Sequence, residues 1–154
     1  MEQKTKIEAL EGRQDLTITR TFDLSVELVY KAHQEAELVA QWMGTKVIQF
    51  ECHNLGNYRF ETEYNGNIVF AANGCFHQVV PNEKIIRTFE MEQACIGASL
   101  EILSFEKLTD SSSKLTMHII YQSEQHRAEQ LKMPFAYGLN MAHDKLQEIL
   151  YSLK

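Results

Sequence analysis

The chain has 154 residues, 44% of them hydrophobic and 23% charged, which is one ordinary domain of globular composition and excludes disordered and collagen-like classes. Its formal net charge of −6 carries no basic stripe, so neither nucleic acid nor an anionic membrane surface is an expected partner. No apolar run approaches the roughly 20 residues that span a bilayer, and Met1 to Leu10 lacks an apolar signal core, so the expected location is cytoplasmic.

Cys52, Cys75 and Cys95 are odd in number and lack C-x-x-C spacing, so reduced thiols are expected and a disulfide framework is not. Cys52 with His53, or Cys75 with His77, finds no second pair at ligand spacing. No metal and no other cofactor is expected.

Residues 1–15 read as an extra strand or an arm, with weak alternation over Thr5 to Leu10. Leu16 to Phe22 is the first firm strand: Leu16, Ile18, Arg20 and Phe22 share one face, and Thr17, Thr19 and Thr21 suit a solvated one. Asp23 and Ser25 offer N-caps for a helix over Val26 to His33, with Val26, Val29, Tyr30 and His33 as the candidate inward residues. A second short helix runs from about Glu35 to Trp42, and Gly44 stops it.

From Val47 the chain becomes a β meander. Tyr58, Phe60, Thr62 and Tyr64 alternate with Arg59, Glu61 and Glu63, and Asn65-Gly66 signals a hairpin because both residues tolerate positive φ. The returning strand, about Ile68 to Val80, continues the apolar face with Ile68, Phe70, Ala72, Gly74 and Phe76. Pro81-Asn82-Glu83 turns the chain again. Strands over Ile85 to Glu92 and Ala98 to Leu108 follow, and the last strand buries Leu115, Met117, Ile119 and Tyr121. Six or seven antiparallel strands then present one apolar face that needs a cover.

Ser123 to Leu153 supplies the cover. Leu131, Phe135, Leu139, Ala142, Leu146, Ile149, Leu150 and Leu153 fall three or four apart, the spacing of one helical stripe. Pro134 lacks the N–H that would continue a helix, so a short segment is predicted before Met133 and the main helix from about Pro134. The fold class is α+β, a single domain over 1–154 with no second domain or repeat.

Three runs carry a family resemblance: Thr19-Arg20-Thr21-Phe22-Asp23, Glu27-Leu28-Val29-Tyr30-Lys31-Ala32 and Glu37-Leu38-Val39-Ala40-Gln41-Trp42-Met43-Gly44. Later pieces agree, among them Gly74-Cys75-Phe76-His77-Gln78-Val79-Val80-Pro81-Asn82-Glu83, Arg87-Thr88-Phe89-Glu90 and Asp144-Lys145-Leu146-Gln147-Glu148-Ile149-Leu150. The chain resembles the single-domain heat-shock-protein ATPase-activator-like (Aha-type) proteins of the START-related SRPBCC superfamily. The resemblance implies a helix-grip fold, in which a curved antiparallel sheet wraps a long C-terminal helix, with two short helices after the first strand and a cavity between sheet and helix. The family often has proline where Ser25, Ala36 and Thr45 stand and a second tryptophan at Met43. Without them the loop Trp42 to Thr45, which borders the expected cavity mouth, is predicted to move.

The residues expected to line the cavity are Trp42, Tyr58, Phe60, Phe70 and Phe76 from the first half of the chain. From the second half they are Arg87, Phe89, Met91, Leu100, Met117, Ile119, Phe135 and Leu139. Trp42, at a helix end, either closes a pocket or packs the short helix on the sheet. Arg87 shares its face with Ile85, Phe89 and Met91, where a guanidinium must meet a carboxylate, a ligand anion or solvent. His118 falls opposite Met117 in strand phase and is expected to face solvent, and His143 to lie off the helical stripe.

No nucleophile with a base, no G-x-S-x-G and no phosphate loop occurs, so no catalytic residue is assigned. A general acid in the pocket would come from Glu63, His77 or Glu101, and would need desolvation. The function read from the sequence is therefore binding of a small hydrophobic molecule between sheet and C-terminal helix. The alternatives are a cyclase- or hydrolase-like enzyme on an apolar aromatic substrate, or a chaperone-interaction module like the domain of the activator that names the family. A homodimer is compatible with either.

Overall fold

The computed structural model of the chain describes residues 4–153. Lys154 and the first three residues of the expected N-terminal arm lie outside the described residues. The arm contributes β1 (Lys6–Glu8), which pairs with β2 (Asp15–Phe22). Two short helices follow, α1 (Val26–Gln34) and α2 (Ala36–Met43), and then β3 (Lys46–Phe50), β4 (Asn57–Tyr64), β5 (Asn67–Val80) and β6 (Lys84–Met91). The chain ends in β7 (Ser99–Thr109), β8 (Ser112–Ile120), α3 (Glu124–Lys132) and α4 (Phe135–Tyr151).

The strands form one sheet in the order β1-β2-β8-β7-β6-β5-β4-β3, antiparallel at every pairing. The sheet has eight strands where six or seven were expected, because the weak alternation near Thr5 does form the three-residue edge β1. β3 is the opposite edge, and its pairing with β4 is interrupted by a bulge between Val47 and Gln49.

Local chemistry explains the element ends. Ser25 caps α1 by accepting from the Leu28 N–H at 3.3 Å, which satisfies a donor that has no partner within the helix. Gly44 ends α2 at φ +65°, the left-handed conformation that costs glycine least. Asn65 and Gly66 have φ of 53° and 79°, as a hairpin turn with two positive-φ residues requires.

One face of the sheet carries the core. Leu16, Ile18 and Phe22 of β2, Leu103 of β7 and Leu115 of β8 are buried against Leu146 and Leu150 of α4. The expected stripe fails at its two ends, since Leu131 and Leu153 are exposed. α3 turns inward with Arg127 and Gln130 instead, and Arg127 Nη1 donates to the Leu10 and Asp15 carbonyls at 2.8 and 2.9 Å. Polar bonds, not burial of Leu131, fasten α3 beside β2.

Side-chain hydrogen bonds run from the segment Trp42 to Thr45 to its neighbours. Trp42 Nε1 donates to the Ala32 carbonyl at 2.8 Å, Thr45 Oγ1 donates to the Glu61 carbonyl at 3.1 Å, and Thr62 Oγ1 donates to Thr45 Oγ1 at 3.0 Å.

Gly74 gives Tyr58 its place. The Tyr58 ring lies over the glycine and its hydroxyl donates to the Thr88 carbonyl at 2.5 Å. A Cβ at position 74 would stand 2.6 Å from that ring and would also meet the Thr88 oxygen, a backbone atom that cannot swing aside. Gly74→Ala is therefore expected to destabilise the fold by about 1–3 kcal/mol, the usual cost of overpacking. Urea denaturation measures it, and an unchanged midpoint would show that the sheet yields there.

Candidate functional site: a hollow between the sheet and the last helix

A hollow of about 360 Å³ lies where the sheet curves away from α4. Its sheet side consists of Ile18, Phe70, Arg87, Phe89, Met91, Ser99, Glu101, Met117 and Ile119, with Tyr121 just beyond β8. Its helix side consists of His33 from α1, Trp42 and Met43 from α2, Gln130 from α3, the Met133-Pro134 join, and Phe135, Gly138, Leu139, Ala142 and His143 of α4. The alternation of β6 to β8 sends every second side chain to this face.

Of the residues expected to line a cavity, Trp42, Phe70, Arg87, Phe89, Met91, Met117, Ile119, Phe135 and Leu139 meet around the hollow. Tyr58, Phe60 and Phe76 do not. They are fully buried in an aromatic cluster with Phe50, whose ring centroids lie 5.1–6.2 Å apart, so these rings pack on one another instead of facing the hollow. Leu100 points the other way. It is 38% exposed, while its neighbours Ser99 and Glu101 face inward, the reverse of the polarity their side chains suggest. Trp42 takes both of its expected roles, packing α2 through its bond to Ala32 and facing the hollow.

Arg87 meets a carboxylate. It stands directly opposite Glu101 across the β6–β7 pair, and its Nε donates to Glu101 Oε1 at 2.9 Å. The guanidinium also lies 5.4 Å from the centre of the Tyr58 ring, a cation–π distance. Burial works against the charge on Arg87, and Glu101 and Tyr58 outweigh it, so its pKa moves up. Of the three acids considered for the pocket, Glu101 alone lies in it; Glu63 and His77 are exposed.

His143 is a correction. Expected off the stripe, it is 1% exposed and lines the hollow, four residues after Leu139 and three before Leu146, which is the inward position of the helix. Its Nδ1 lies 2.7 Å from Thr5 Oγ1, and its Nε2 is buried without a hydrogen-bond partner. His33 is the other buried imidazole; its Nδ1 donates to the Val29 carbonyl at 2.8 Å. Burial lowers the pKa of His33 to about 4, and burial, with His33 and Arg20 nearby, lowers that of His143 to about 3. Both rings are neutral at pH 7. His118, by contrast, sits at the surface with its Nε2 2.8 Å from Asp15 Oδ2.

Arg20, on the inner face of β2, holds α4 in place. Its Nη2 donates to Asp144 Oδ1 at 2.8 Å, and its Nη1 donates to Asn140 Oδ1 at 3.3 Å. The position of this arginine in strand phase with Leu16 and Ile18 was the sequence signal for an inward charge.

Among the described residues no activated nucleophile faces the hollow. Ser99 Oγ donates to the Phe89 carbonyl at 3.3 Å, and burial pushes the Cys52 thiol, away from the hollow, up to about 11. Among the described residues no group of His, Cys, Asp and Glu is placed to hold a metal ion, and no helix is long and apolar enough to cross a membrane. The hollow's wall is mostly apolar, with the Arg87–Glu101 pair as its charged part.

Comparison with known proteins agrees with this architecture. The family model described as "Activator of Hsp90 ATPase homolog 1-like protein" matches residues 23–151. No curated protein matches the chain. Among solved structures, a Rhodobacter sphaeroides protein is similar at a TM-score of 0.84 and 19% identity, covering 96% of this chain and 99% of that one. Protein Ms6760 from Mycobacterium smegmatis is similar at 0.83 and 17% identity, covering 98% and 99%. Protein NE0264 from Nitrosomonas europaea is similar at 0.78 and 20% identity, covering 95% and 99%. At such identities the likeness establishes the shared fold alone.

Proposed function

The chain belongs to the family of Activator of Hsp90 ATPase homolog 1-like proteins, and from that premise we propose that it holds a small, mostly apolar molecule between the sheet and α4. The observation that carries this reading is the hollow itself. Protein interiors are packed as densely as organic crystals and rarely leave voids larger than a water molecule. A space of about 360 Å³ falls in the range of about 300–1,000 Å³ typical of ligand pockets. Its walls are aromatic rings, methionines and aliphatic side chains, with few polar groups among them, the composition of a site that binds by burial and orients by one or two hydrogen bonds.

Native mass spectrometry of the purified protein, with organic extraction, is expected to recover a bound apolar molecule, and a screen of lipids and aromatic compounds is expected to raise the melting temperature. Gly138→Leu supplies the control. Gly138 faces the hollow with open space beyond its Cα, and leucine is the better helix former. The variant should fold at least as well and lose the ligand and the thermal shift. Wild-type protein that carries no apolar molecule and gains no stability from any compound would refute the reading.

A further inference from the structure

We propose that the hollow selects a neutral molecule: an apolar body with a single head that both accepts and donates hydrogen bonds, of the carboxamide or phenol class, seated on the Arg87–Glu101 pair. This rests on the reading of the hollow as a ligand site and adds the chemistry of what enters it.

The pair is only half used. Arg87 spends Nε on Glu101 Oε1, which leaves its two Nη atoms and the second Glu101 oxygen without hydrogen-bond partners among the described residues. None of the three belongs to the atoms sealed away from solvent-sized space, and both side chains line the hollow. The inner surface therefore offers N–H donors and a carboxylate acceptor side by side. A carboxamide can accept from the guanidinium through its carbonyl and donate through its N–H to the carboxylate, and a phenol can do both with one oxygen.

Charge decides against the other heads. Among the described residues that line the hollow, Arg87 and Glu101 alone are formally charged, and they cancel. An anionic head on the guanidinium would stand beside a carboxylate that already compensates it, and an ammonium on Glu101 would stand beside Arg87. Like charges a few ångströms apart repel strongly where water is excluded. A neutral head makes both bonds without that opposition. Phe89, Met91, Met117, Phe135 and Leu139 remain for the apolar body, and the methionines can adapt to its shape.

Four probes with one body separate the possibilities: biphenyl, biphenyl-4-carboxamide, biphenyl-4-carboxylate and the cation of biphenyl-4-ylmethylamine, titrated at pH 7.4 by calorimetry. The carboxamide is expected to bind at least tenfold tighter than either charged probe and than biphenyl. In E101Q the guanidinium loses its compensating charge, and the carboxylate is expected to overtake the carboxamide. In the double variant R87M/E101L the advantage of the carboxamide over biphenyl should vanish. Circular dichroism checks each variant, and where one does not fold the order on wild-type protein decides. A charged probe equal to or tighter than the carboxamide on wild-type protein overturns the choice of head while the hollow remains a binding site. Failure of all four probes to bind counts against the hollow itself.

Discussion

Glu101→Ala is expected to lower the stability of the fold by about 3–5 kcal/mol, measured by urea denaturation, because it strands a buried guanidinium with no opposite charge. Arg87 on β6 and Glu101 on β7 face each other across the two central strands of the sheet, joined by a hydrogen bond, with the Tyr58 ring 5.4 Å from the guanidinium. The ring alone offsets about 1–2 kcal/mol for a desolvated cation. Removing both charges tells the opposite story. R87M/E101L replaces the pair with apolar side chains of similar length, and such exchanges are neutral or stabilising by about 1–4 kcal/mol. If the single variant cost less than about 1 kcal/mol, water in the hollow would be solvating the arginine as well as Glu101 does.

Acid is expected to unfold the protein earlier than its carboxylates alone would. His33 and His143 have pKa values of about 4 and about 3 in the folded chain, against about 6.5 when unfolded. Below pH 6.5 the unfolded chain therefore takes up protons that the folded chain refuses. Stability is complete above pH 6.5 and falls with decreasing pH, by up to about 1.4 kcal/mol per pH unit for each ring. At pH 4.5 the two together have removed about 5 kcal/mol, a large part of the usual 5–15 kcal/mol of a folded domain. The lowered carboxylates, such as Asp15 held down by hydrogen bonds from Arg13 and His118 and Glu92 by Arg59, act in the same direction but only below about pH 4.5. The window from 6.5 to 4.5 thus belongs to the imidazoles. Chemical denaturation across it should show the slope, and His33→Gln, which can still donate to the Val29 carbonyl, should roughly halve it. A flat profile would mean that both rings reach protons without unfolding.

The elements were readable because burial follows a period. Alternation located β2 through Leu16, Ile18, Arg20 and Phe22, and the Asn65-Gly66 turn fixed how β4 and β5 meet. The hollow was less legible, in part because polarity misplaced Leu100 and His143. In β7 the inner face reads Ser99, Glu101, Leu103 and Phe105, and Leu100 lies outside. A serine and a glutamate open the inward set, so hydrophobicity alone chose the wrong phase. His143 failed in the same way, since its spacing from Leu139 and Leu146 places it inside while its chemistry suggested the surface. Tyr58, Phe60 and Phe76 lie on the expected face, but a sequence does not say where a curved sheet stands off its helix and where it closes on its own aromatic rings.

The two margins of the sheet have a bearing on how the molecule behaves in company. β1 is three residues long with Lys6 and Glu8 exposed, and β3 is five residues long, broken by its bulge and begun by exposed Lys46. Neither offers the long, flat, uncharged ladder that recruits a strand from a neighbour. Among the described residues neither margin is a ready template for edge-to-edge growth, so two copies that associate are expected to meet across another surface.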